Sequence, residues 1–120
     1  MVNKLQSELF RGDPRLERTL HSDSAHVVIG DQGEFVSKIQ FAALLLGGGR
    51  IGPTELQLKK YGPETAKVVL AYKTQRAIIN PAYQRTPDSI VGKMTIRSLD
   101  AEMVAYEKKE RLSNSTQVRH

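Results

Sequence analysis

Three histidines, His21, His26 and His120, are the first residues to weigh for chemistry in this chain. His21 and His26 lie in a polar stretch that reads as loop, and His120 ends the sequence, so no two of them have the spacing that puts paired ligands on one helix for a metal. A hydrolytic triad needs serine, histidine and acid held in mutual orientation, and nothing in the pattern organises the serines that way. Cysteine is absent, which excludes thiol nucleophiles, thiolate metal sites and disulfides together. Glu107 and Glu110 flank Lys108 and Lys109, the arrangement of a solvated helix surface rather than of an acid–base pair. Arg11-Gly12-Asp13 has the form of an adhesion tripeptide, but Pro14 follows it, so Asp13 reads as a helix cap. These residue types predict a chain that binds and does not catalyse, with no metal and no cofactor.

The elements that position binding residues must come from one modest core. The chain has 120 residues, 39% hydrophobic, with no tryptophan and 6% aromatics, which predicts a single domain with a mainly aliphatic interior. The start, Met1 to Glu8, is polar and lacks the apolar run of a secretory leader. The longest apolar stretch, Phe41 to Leu46, is far too short to span a bilayer, so no membrane insertion is expected. Net charge is +5, unevenly distributed: residues 1–34 carry four basic and six acidic side chains, residues 59–97 eight and two. A basic half attracts anionic polymers, although aromatics are sparse and no helix carries a dense basic face, so nucleic acid is not the expected partner.

Along the chain, Asp13-Pro14 announces a short helix with Leu16 and Leu20 on one face. Val27-Val28-Ile29 reads as an extended segment against the core. A first long helix is expected from about Phe35, with Val36, Ile39, Ala43 and Leu46 as its buried stripe, stopped by Gly47-Gly48-Gly49. The connection from Arg50 to Lys60 has room for a helical turn at 54–58. Gly62-Pro63-Glu64 starts a second helix, with Val68, Val69, Tyr72 and Ile79 facing inward and Asn80-Pro81 ending it. A loop through Tyr83 leads to a third helix from Gly92, with Ile96, Leu99 and Met103, and beyond them Tyr106, as its stripe. Ser113 to Gln117 is polar and reads as disordered. The expected fold is all-α: a compact three-helix bundle over 33–106, an N-terminal helical and extended wrap over 1–32, and a polar, disordered tail over 107–120.

Two stretches share a grammar. Tyr61-Gly62-Pro63-Glu64-Thr65 and Val91-Gly92-Lys93-Met94-Thr95 each set an apolar residue, a Gly, and a Thr three positions later at a helix start. The Gly allows the sharp entry, and the Thr hydroxyl falls in the first turn, where it can bond a neighbouring loop. With Gly33, Val36, Ile39 and Gln40 ahead of them, Val69 and Tyr72 between, and Asp88, Ile90 and Leu99 around the last, this ordered set resembles the peptidoglycan-binding domain family. That family is a three-helix module often attached to cell-wall hydrolases. The sequence departs from the family at Lys59-Lys60, where an Asp-Gly pair is usual, at Lys73 in place of a Gln, and in its longer glycine-rich connection.

The resemblance implies a non-catalytic module that binds peptidoglycan, through glycan strand or stem peptide, and targets or anchors a partner protein there. Such a partner would be a wall hydrolase or a secretion component. Recognition of amides and sugars needs hydrogen-bonding side chains and an aromatic face, and the loops entering the second and third helices offer Gln57, Lys59, Lys60, Tyr61, Asp88 and Lys93, with Gln40 near their base. Tyr61 also reads as a core staple, and Gln40 as a partner for buried loop backbone. The chain is expected to be cytoplasmic as synthesised and to act at the periplasm or cell envelope if exported by another route. The alternative is a protein-interaction adaptor on the same fold in a bacterial secretion or contractile injection apparatus.

Overall fold

The computed structural model describes residues 3–79 and 86–118. Among them are five α-helices: α1 (Pro14–His21), α2 (Glu34–Gly47), α3 (Pro53–Leu58), α4 (Pro63–Arg76) and α5 (Lys93–Val118), with a 3₁₀ turn at Asp23–Ala25. The described residues form no strand, only two isolated antiparallel bridges, Val27 with Val91 and Gln32 with Lys60. The fold is all-α, and no described helix is long and apolar enough to cross a membrane.

Helix α1 starts as its sequence dictates. Pro14 occupies the first turn, and the Asp13 carboxylate accepts from Arg15 N (3.0 Å) and Leu16 N (3.1 Å), while its other oxygen takes the Lys38 ammonium at 3.0 Å. One capping residue thereby ties α1 to α2. Helix α2 buries Val36, Ile39, Gln40, Ala42 and Ala43, with Leu46 only partly covered. At its end Gly47 lies so close to α4 that an added Cβ would stand 3.2 Å from Tyr72 Cβ. Since Gln40 meets Thr65 and Gly47 meets Tyr72, α2 and α4 run in the same direction.

Helix α4 stops at Arg76, short of Asn80-Pro81, which lie outside the described residues along with Tyr83. Ala77 turns left-handed (φ 54°), its N–H bonds Thr74 O, and Ile78 N bonds Lys73 O at 2.9 Å. This paired closure carries Ile78, and not the expected Ile79, into the core. Lys59 ends α3 in the same way, with φ 54° and Lys60 N on Glu55 O. Opposite α4, Arg76 forks onto Glu102 of α5 at 2.6 and 2.8 Å, and Tyr72 donates to the same carboxylate.

The N-terminal segment is part of the interior. Leu5, Phe10, Leu16, Leu20 and Val27 join Val36, Ile39, Val69, Tyr72, Ile96, Leu99 and Met103 in one cluster. The expectation for the extended segment holds only for Val27, since Val28 and Ile29 are exposed. The expectation of a disordered tail is corrected: α5 continues to Val118, about 39 Å of helix at 1.5 Å per residue. Extending an existing helix gains one hydrogen bond per residue without repeating nucleation, so polar Ser and Asn do not end it.

Candidate functional site

Gly62 at the start of α4 has no side chain to cap with, so the first N–H groups of the helix need an acceptor from elsewhere. Glu55 of α3 supplies it. Its carboxylate accepts from Gly62 N (3.1 Å), Glu64 N (2.9 Å), Thr65 N (2.9 Å) and the Thr65 hydroxyl (2.7 Å). Burial pushes its pKa upward, but the bonds from the Thr65 hydroxyl and the three backbone N–H groups outweigh it and hold the carboxyl below the ordinary glutamate value. Thr65 Oγ1 in turn accepts from Gln40 Nε2 at 3.0 Å, and Gln40 also donates to Lys60 O at 3.1 Å. The first-turn threonine of the Gly-x-x-Thr pattern is therefore the junction of α2, α3 and α4.

Tyr61 gathers the loops beside this junction. Its backbone bonds Asp31 O and Gly30 N, and its buried hydroxyl donates to Ser89 O. Burial above all, with the charges of Asp88 and Asp31, pushes the phenol pKa well above its usual value. The segments 27–33, 58–61 and 88–91 are thus held together at the starts of α2, α4 and α5, with Val27 and Val91 exchanging both backbone bonds at 2.9 Å.

At the start of α5 an open groove of about 440 Å³ remains, with Ile78, Ile79, Ile90 and Met94 as its apolar lining and Asp23, His26, Lys73, Asp88 and Lys93 as its polar one. Lys73 is almost wholly buried, and its ammonium donates to Asp88 and to Ile90 O, each at 2.7 Å. Lys93 stands 3.5 Å from Asp23, and the His26 ring packs on Gly92, where a Cβ would come within 3.0 Å of Nε2. The groove therefore offers both signs of charge and the positive end of a long helix above an apolar lining. That combination suits a small ligand carrying amide, ammonium and carboxylate groups.

The structure divides the seven residues expected to bind. Asp88 and Lys93 line the groove. Gln40 and Tyr61 are buried beneath the loops, 1% and 0% exposed, and act there as internal ties. Gln57, Lys59 and Lys60 lie at the end of α3 and do not line the groove; Gln57 and Lys60 are exposed, while Lys59 pairs with Glu34. Glu55, Asp23, His26 and the groove role of Lys73 were not foreseen. The signal available in the sequence was the Lys at position 73, a cation on the inner side of an otherwise apolar helix face. His21 bonds Asn3 O and His26 faces Asp23, while His120 lies outside the described residues. Among the described residues no group of His, Cys, Asp and Glu could hold a metal.

Comparisons with protein-family models, with curated proteins and with solved structures returned no match for this chain.

Proposed function

We propose that the chain is a non-catalytic module that binds bacterial peptidoglycan and targets or anchors a partner protein to the wall, at the periplasm or cell envelope. In this reading α2, α4 and α5 are the three helices of a peptidoglycan-binding-like bundle, to which α1, α3 and the N-terminal segment are added. The observation that carries it is the ordered motif set from Gly33 to Leu99: Gly33, Gly62 with Thr65, and Gly92 with Thr95 stand at the starts of these helices, and the last pair lines the groove. Asp88 and Lys93 bind within the groove in this reading, and Gln57 and Lys60 extend recognition along the exposed rim of α3.

Co-sedimentation with purified sacculi tests it. The intact protein is expected to pellet saturably, and Lys93→Glu to weaken that binding without lowering the unfolding temperature, since Lys93 is half-exposed and its ion pair with Asp23 is a long surface contact. Failure of the intact protein to pellet overturns wall binding and leaves the adaptor reading, which the additional surface built by the N-terminal segment favours.

A further inference from the structure

The first 34 residues carry more acid than base, so charge arithmetic predicts an acidic surface there. The structure distributes those charges differently. All six carboxylates are engaged: Glu8, Asp13, Asp23, Asp31 and Glu34 in ion pairs, and Glu17 on backbone N–H groups. Lys4, Arg11 and Arg18 are exposed and form no ion pair among the described residues, and neither does Arg97 on α5.

Lys4 and Arg11 line one groove, and the helices that carry Arg18 and Arg97 pack beside it. Glu17 accepts Leu5 N on one oxygen (3.0 Å) and Gly12 N on the other (3.1 Å), so the two ends of the segment between them lie side by side. Lys4 and Arg11 each adjoin one of the bonded residues and flank a groove of about 490 Å³, and Arg18 follows Glu17 on α1. Asp100 accepts from Gln6 N and Ser7 N, and Glu107 from Glu8 N and Leu9 N, so the segment runs along α5 in the helix direction. Arg97, one turn before Asp100, therefore comes level with Lys4. Asp100 is buried and faces inward onto amides, and Glu17, which lines the groove, holds an N–H group on each oxygen, so the cations outnumber the carboxylates at this surface.

We propose that this surface, formed by the N-terminal segment, α1 and the first turns of α5, docks an acid-rich segment of a partner protein. Three of the four cations are arginines, whose planar fork matches carboxylates. The patch is compact, and the one large aromatic exposed among the described residues, Phe41, lies on α2. It therefore lacks the stacking platform and the basic helix face with which polynucleotides are bound. The surface shares no residue with the groove at the start of α5, and its function does not depend on the wall reading.

The test titrates the full chain, at physiological ionic strength, with a peptide of about ten alternating Asp and Glu residues and with a DNA duplex of about ten base pairs. An Arg11→Glu/Arg97→Glu variant is compared with an Arg50→Glu/Lys67→Glu control of equal net charge, all four sites being exposed. The first pair is expected to weaken peptide binding about tenfold or more and the control at most about twofold, with unchanged unfolding temperatures. Peptide-induced amide shifts should concentrate on residues 4–12, 18 and 97. No peptide binding, equal weakening by both pairs, or tighter binding of the duplex than of the peptide would each overturn the proposal.

Discussion

Replacing Glu55 tests the internal logic of the site most sharply, because one carboxylate carries the start of α4. Glu55→Gln keeps an acceptor oxygen and the side-chain length but loses the charge facing the positive end of the helix. A lost cap costs about 1–2 kcal/mol and the dipole interaction about 0.3–1 kcal/mol, so a loss of about 1.3–3 kcal/mol is expected at neutral pH. Glu55→Ala removes all four bonds and leaves the part-buried Gly62 and Thr65 N–H groups and the Gln40–Thr65 link without their anchor, for a loss of about 2–4 kcal/mol. For a chain of this size about 4 °C of unfolding temperature corresponds to each kcal/mol, so thermal denaturation followed by circular dichroism resolves both. The pH dependence has a fixed sign. The folded-state pKa of Glu55 lies below its ordinary value of 4.5, so its stabilisation is complete above that pH and fades as pH falls through the folded value. The gap between the wild type and Glu55→Gln should therefore narrow in acid. Variants within about 0.5 kcal/mol of the wild type at pH 7, or a gap that widens in acid, would refute the capping role.

Other expectations follow from single contacts. Ala77 holds a left-handed conformation that glycine adopts without a Cβ penalty, so Ala77→Gly is expected to stabilise by about 0.5–1 kcal/mol in a denaturant titration. Phe10 is fully buried in the common core, and Phe10→Ala should cost about 3–5 kcal/mol, whereas a dispensable wrap would lose well under about 1 kcal/mol.

How far these features were legible depended on whether their cause was local. The Asp13-Pro14 start of α1, the Gly62-Pro63 start of α4 and the stripe of Ile96, Leu99 and Met103 are set by neighbours in sequence, and each was readable. The hydroxyl role of Thr65 was readable too, but its partner was not. Glu55 sits in a different helix, and a cap supplied from there leaves no local pattern. The end of α4 was misplaced because the residue that closes it is Ala77, where glycine is the usual signal. Leu5 and Phe10 lacked helical or strand periodicity. Their burial follows from Asp100, Glu107 and Glu17 taking the backbone N–H groups between and beside them, contacts that reach as far as 99 residues along the chain. The groove was only half visible: Asp88 and Lys93 adjoin the motif, while Asp23 and His26 arrive through the Val27–Val91 bridge.

Amide-resolved nuclear magnetic resonance with soluble peptidoglycan fragments tests the central claim most directly. Saturable shifts confined to the helix-start loops and the groove, at 57–62 and 88–95 together with His26, are the predicted result, and Lys93→Glu should diminish them. An unperturbed spectrum at millimolar fragment, or shifts restricted to the N-terminal segment, would contradict wall binding at this site.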